Sequence, residues 1–281
     1  MWRDPLSAAD PQTRRPAIAP ALVPRSRRSF ATGRSILALI LREMSTRYGR
    51  SPGGYLWAVL EPIGAILMLT FGFSLLLRSP SLGNSFILFY ATGYLPLSLY
   101  MSTSNMVARA IGFSRPLLVY PSVTWADAVL ARWILNTLTG LMVTYLLLAG
   151  ILAVIDTRIA LDILPILAAL AMAALIGLGV GVMNCVLFGM FPVWTQVWTI
   201  VTRPLFLASG IFFIMEDLPP LAQKILWYNP LIHITGLMRT GFYPMYAPDY
   251  VSVVFVLSVA LVCTALGLVL LRRYHQDILN S

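Results

Sequence analysis

Beyond residue 54 the chain is a succession of long apolar runs separated by short polar breaks. A helix needs roughly 20 apolar residues to cross the ~30 Å hydrocarbon layer, and six runs qualify, at 55–77, 86–107, 124–150, 163–189, 193–214 and 250–271. The pattern predicts an all-α integral membrane protein with six transmembrane helices. Ahead of the first run, Ile36, Leu37, Leu39, Ile40, Leu41 and Met44 share a broad apolar face, while Arg34, Arg42, Arg47 and Arg50 supply positive charge. That is an amphipathic helix suited to lie on a membrane surface. Pro52, Gly53 and Gly54 break it, and Tyr55 and Trp57 are residue types that favour the interface where the chain turns inward. The stretch 215–249 is more polar. Its two short apolar segments, 218–226 and 231–239, are split by Asn229 and Pro230, which predicts a re-entrant outer segment before the last span. Irregular backbone at membrane depth must be buried in protein or line a cavity.

Composition agrees: 58% of residues are hydrophobic and 11% charged, and the mean hydropathy is +0.80, far from a soluble domain. Charge sets the orientation. Ten arginines precede Tyr55, and Arg109, Arg115, Arg272 and Arg273 fall on the same side if both termini are cytoplasmic; Arg78, Arg158, Lys224 and Arg239 are left for the outer loops. This asymmetry is a positive-inside signal for an even number of spans. The net charge of +9 therefore reads as topology and contact with anionic lipid, with no basic soluble domain to hold nucleic acid. Residues 1–28, rich in Pro, Arg, Ser and Ala, read as a disordered cytoplasmic tail without a signal-peptide core. Residues 29–281 form one membrane domain.

Chemistry is sparse. Cys185 and Cys263 lie within apolar spans and make neither a disulfide framework nor a metal site. A phosphate-binding loop needs a lysine after GxxxxG, but the only lysine, Lys224, follows Gln223. His233 and His275 are separated by the last span, so no acid/base constellation is visible. The chain reads as a non-enzyme that binds no cofactor itself. Charges near the spans are costly and mark partners or pathways. Glu61, Asp127 and Arg132 fall at similar depth and are expected to form a structural charge network. Arg203, before Pro204, either attracts an anionic glycan or lipid phosphate or pairs with Glu61 or Asp127. Aromatic stripes on the fifth span (Trp194, Trp198, Phe212) and the second (Tyr90, Tyr94) are candidates to line a corridor for sugars or simply to pack the core. The GxxxG spacing from Gly177 to Gly181 reads as a close helix contact.

The junction RYGRSPGGYLWAVLEP at 47–62 resembles the N-terminal signature of permease subunits of type-2 ABC exporters of capsular polysaccharide. LLVYPSVTWADAVLAR at 117–132, FPVWTQVWTIVTRPLF at 191–206 and WYNPLIHITGLMRTGFYP at 227–244 are similar to the same family, in the same order. The resemblance implies a bacterial inner-membrane protein that pairs with a second copy of itself and with two ABC ATPase subunits. ATP and Mg would be held by the ATPases, the cargo would be lipid-linked polysaccharide, and periplasmic and outer-membrane export proteins would be further partners. It implies coupling to the ATPases through Arg42, Glu43, Arg47 and Tyr48 on the interface helix and Arg115 and Tyr120 in the loop 109–122. The O-antigen and teichoic-acid exporters of the same class remain open as an alternative. A secondary transporter, which would show charges on several spans and paired interrupted helices, is more distant.

Overall fold

The structure is a computed structural model that describes residues 31–47, 53–118, 123–155 and 161–280. The N-terminal tail, Tyr48, Arg50, Pro52, Tyr120 and Arg158 lie outside them. Among the described residues the chain is all-helical: α1 (Ala31–Arg47), α2 (Gly54–Ser74), α3 (Phe86–Ala108), α4 (Ala110–Leu118), α5 (Trp125–Val154), α6 (Ile163–Met190), α7 (Trp194–Leu207), α8 (Pro220–Leu226), α9 (Pro230–Thr240) and α10 (Val253–Asn280). A single 3₁₀ turn, Met215–Asp217, precedes α8.

Helix starts follow local chemistry. Gly53 precedes α2 with φ of 81°, a left-handed conformation that favours glycine. Ser85 and Asp162 cap α3 and α6 by accepting from Leu88 N–H and Leu164 N–H. Asn229 accepts from Leu231 N–H at the start of α9, with Pro230 in the first turn. At α5, Thr124 and Asp127 form a reciprocal capping box: Asp127 N–H donates to Thr124 Oγ1 at 3.2 Å and Thr124 N–H donates to Asp127 Oδ2 at 2.9 Å.

Among the described residues four helices are long and apolar enough to cross a membrane: α2 from Leu56 to Ser74, α5, α6 and α10. Helix α3, 23 residues long, is largely enclosed by protein and carries Thr92, Ser98, Ser102, Thr103, Ser104 and Asn105. The run 193–214 differs from a simple span. Its helix, α7, has 14 residues, about 21 Å at 1.5 Å per residue. Pro204 falls inside it, and the chain turns at Gly210 with φ of 79°.

Helix α6 is the central post. The predicted glycine seam is a packing seam, because a Cβ at Gly177 would meet Thr103 Cβ at 3.0 Å and one at Gly181 would meet Val107 Cβ at 2.7 Å, both on α3. Gly179 instead faces α10, with Ala260 O 2.8 Å from its notional Cβ, and a Cβ at Gly267 of α10 would sit 2.9 Å from Met183 N. Backbones brought this close gain dispersion contacts that lipid cannot match, which is how helices associate in a bilayer. The ends of α6 carry different structures. At its N-terminal end Asp162 N–H donates to Gly241 O at 3.0 Å, seating α9 there. At its C-terminal end Cys185 and Val186 pack with Ala110 and Ile111 of α4 and Ile278 of α10. The two ends are about 42 Å apart along the helix.

Candidate functional site

A half-polar cavity of about 510 Å³ opens between α2, α3, α5 and α7. Glu61 and Pro62 come from α2, Tyr94, Ser98 and Asn105 from α3, Asn136 and Thr139 from α5, and Phe206 from α7. Of these, Asn136 donates to Arg132 O at 2.8 Å and Thr139 Oγ1 to Leu135 O at 2.8 Å, so both groups are oriented by their own helix. The lining offers hydroxyls, amides and one carboxylate.

An aromatic run continues from this cavity. Tyr94 meets Phe206 edge-on at 6.5 Å, Phe206 meets Phe212 at 5.7 Å, Phe212 meets Phe73 at 5.2 Å and Phe73 meets Tyr90 at 5.5 Å. Tyr90 then contacts Phe89 at 5.4 Å, and the guanidinium of Arg239 lies 4.1 Å from the Phe89 ring centre. Arg239, 1% exposed, donates Nη1–H to Phe213 O at 2.9 Å and Nη2–H to Ile211 O at 3.1 Å. It therefore clasps the turn after α7 from α9. Gly93 makes room: a Cβ there would sit 3.0 Å from Ile211 Cα and 3.2 Å from Arg239 Nη2.

At the opposite end, Glu43 of α1 and Arg132 of α5 are both buried and form an ion pair at 3.2 Å. Arg132 also donates to Met106 O at 2.9 Å and stands 4.2 Å from the Phe113 ring centre, which Arg42 approaches at 5.6 Å. Helix α1 is thus tied to α3, α4 and α5 through one cation.

Among the residues read from sequence, Tyr90, Tyr94 and Phe212 come together. Trp194 and Trp198 do not join them; Trp194 Nε1–H donates to Asn184 Oδ1 at 3.0 Å, pinning the start of α7 to α6. The expected charge network is regrouped. Asp127 spends its carboxylate on the capping box, and Arg132, five residues on, points about 140° away around the helix, toward Glu43. Glu61 lines the cavity instead. Arg203 is exposed one turn before Phe206 and pairs with neither Glu61 nor Asp127 within the described residues. Of the coupling candidates, Glu43 is buried rather than on the surface, Arg42 is half-buried and Arg115 is exposed in the last turn of α4. Arg47 closes α1, while Tyr48 and Tyr120 lie outside the described residues. Phe73, Phe89, Phe206 and Arg239 were missed. Phe206 was readable as three residues beyond Arg203 on the same amphipathic helix, whereas Arg239 looked like one more outer-loop cation.

Residues 34–243 match the ABC-2 type transporter membrane family. This chain belongs to that family. It is 30% identical over 247 residues to the polysialic acid transport protein KpsM of Escherichia coli, covering 88% of this chain and 96% of KpsM. Against the capsule polysaccharide export inner-membrane protein BexB of Haemophilus influenzae the identity is 29%, covering 88% of this chain and 93% of BexB. For the capsule polysaccharide export inner-membrane protein CtrC of Neisseria meningitidis serogroup B it is 26%, with 89% and 95% covered. Membership makes this chain a transport subunit rather than a catalytic one. The similarity runs through the cavity helices and the α8–α9 segment alike.

Proposed function

We propose that this chain is the inner-membrane permease subunit of an ATP-driven exporter that carries lipid-linked capsular polysaccharide outward. The observation that carries the reading is the cavity beside an aromatic run, in a chain similar along nearly its whole length to a polysialic acid transport protein and two capsule polysaccharide export inner-membrane proteins. Sugar rings offer hydroxyls to Glu61, Ser98 and Asn105 and apolar faces to Tyr94, Phe206 and Phe212. Such contacts are individually weak and repeat along a chain, which suits passage more than retention.

In this reading α3 and α7, the latter with its following turn, complete six crossings, and both termini are cytoplasmic. Helices α8 and α9 form a re-entrant outer segment. The chain acts as a homodimer, with the exposed faces of α2 and α7 beside the cavity meeting a second copy. Two ABC ATPase subunits bind ATP and Mg and push on α1 and α4; Arg42, Arg47 and Arg115, with Tyr48 and Tyr120, face them, and Glu43 holds α1 to α5 so that the push reaches the cavity helices. Periplasmic and outer-membrane export proteins take the chain onward.

Deleting the gene tests the proposal. Capsular glycan should accumulate inside the cell while surface capsule is lost, and unchanged surface glycan would defeat it. The purified chain alone should hydrolyse no ATP and should gain hydrolysis with its ATPase partner.

A further inference from the structure

A second cavity, of about 530 Å³, lies at the α9 end of the molecule, away from the Glu43–Arg132 pair. Glu216 of the 3₁₀ turn, Gln223 and Lys224 of α8, Trp227, Asp249 and Tyr250 line it. Nothing in the corridor described above uses it. Glu216, Gln223, Trp227 and Tyr250 are held in place. Tyr246 donates its hydroxyl to Glu216 Oε2 at 3.2 Å and stands 3.3 Å from the Tyr250 hydroxyl. Gln223 Nε2–H donates to Leu218 O at 2.8 Å, which fixes the orientation of its amide. Trp227 is fixed by its carbonyl, which accepts from His233 Nε2–H at 2.8 Å, and by packing of its ring on Phe255 at 5.0 Å.

We infer that this cavity is a saccharide-binding subsite at the outer end of the permease, built for a neutral sugar residue with neighbouring hydroxyls. The chemistry is complementary: the Glu216 and Asp249 carboxylates and the Gln223 amide oxygen accept from hydroxyls, Lys224 and the Trp227 indole N–H donate to ring and hydroxyl oxygens, and the indole supplies an apolar surface. Two carboxylates against one ammonium disfavour an anionic sugar. About 500 Å³ falls within the range of small-ligand sites and holds one or two sugar rings. The assignment rests on the export reading and adds that glycan leaving the corridor touches this site next.

The test uses the full-length chain in cells that make capsule. The photo-crosslinker p-benzoylphenylalanine replaces Ala247 in this cavity, Ser102 in the corridor cavity or Leu261 on the exposed face of α10, and the purified protein is stained for periodate-reactive glycan after irradiation. Glycan on the Ala247 and Ser102 variants and none on the Leu261 variant is the expected result. Glycan at Ser102 without glycan at Ala247 overturns the subsite and leaves the export reading standing; glycan at neither overturns the export reading itself. A protein adduct at Ala247 in place of glycan also overturns the subsite. Adding Glu216→Gln and Asp249→Asn together should lower the Ala247 glycan adduct roughly tenfold at unchanged protein abundance, the loss expected from about one charge-assisted hydrogen bond. An unchanged adduct would refute the assigned contacts.

Discussion

Removing Glu43 should loosen α1 from the membrane domain while leaving the corridor cavity intact. Its partner Arg132 is 5% exposed, and stripping one member from a buried pair typically costs about 3–5 kcal/mol because the survivor remains buried and uncompensated. Two contacts soften the loss here. Arg132 keeps its bond to Met106 O and its place over Phe113, the latter worth roughly 0.5–2 kcal/mol. The low end, about 3 kcal/mol, is therefore expected for Glu43→Ala, or about 6–12 °C in the unfolding midpoint of the detergent-extracted protein at 2–4 °C per kcal/mol.

Glu43→Leu combined with Arg132→Met should recover most of that loss, since an apolar pair of similar volume needs no desolvated charge. The assay is thermal unfolding of all variants alongside ATPase stimulation of the assembled complex. Stability should fall in Glu43→Ala and return in the double variant. Stimulation should fall in both if the ionic tie carries the push, and return with stability if α1 merely has to be docked. A Glu43→Ala midpoint within about 2 °C of wild type would refute the claim that the pair anchors α1.

Three further outcomes follow from the packing and the site. Gly181→Val should destabilise by about 1–3 kcal/mol through overpacking against Val107 and Ser104 O, whereas Gly150→Ala, with nothing within 4 Å of its new Cβ, should be neutral or stabilise by up to about 1 kcal/mol; equal midpoints would contradict the seam. Tyr94→Ala with Phe206→Ala should lower surface glycan more than Trp194→Ala with Trp198→Ala does at matched abundance, with the tryptophan pair chiefly lowering the yield of folded protein; the reverse ranking would move the corridor to the start of α7. His233 accepts from Ser252 N–H at 3.1 Å through Nδ1, and burial pushes its pKa below the usual value, so the folded state favours neutral imidazole. Its contribution to stability is complete above the ordinary histidine pKa of about 6.5 and is lost as pH falls through that value toward the folded pKa, because the unfolded chain takes up the proton first. Unfolding midpoints at pH 7.5 and 5.5 should differ more for wild type than for His233→Gln.

Apolar run length made the helices visible, and the Gly/Pro break before Tyr55 marked the start of α2. The glycine seam was also readable, because a GxxxG spacing in an apolar helix has one dominant use. Three things were hidden. The run 193–214 contains enough apolar residues for a span, but the helix stops at Leu207 and the chain turns at Gly210, and composition does not count helix length. Asp127 and Arg132 look like partners at one depth, yet a threonine three residues before Asp127 competes for its carboxylate at shorter range. The aromatic residues were recognisable as candidates, but only the packing of α2, α3 and α7 brings Phe73 and Phe206 against Tyr90, Tyr94 and Phe212 and leaves Trp194 hydrogen-bonded to α6.

The two arginines buried among the described residues divide the labour of the fold. A guanidinium is costly to hold away from water, and each is stabilised by backbone carbonyl oxygen and a ring face, Arg132 by the Glu43 carboxylate as well. Arg132 ties α1 to the end of the molecule where α4 and the last turns of α10 gather. Arg239 ties α9 to the turn after α7 at the other end. Between them lies α6, whose glycines bring α3 and α10 into close contact with it. Helices α2 and α7 stand outside this brace: α7 has no buried residue, and in α2 only Pro62 and Ile66 are buried among the described side chains, so of the four helices that line the cavity they are the two with the least holding them in place. A displacement of α1 therefore has two outlets, a shift of the braced core as one body or a change in α2 and α7 around the cavity. The second deforms fewer packed contacts, which makes the cavity wall formed by Glu61 and Phe206 the more readily moved of the two.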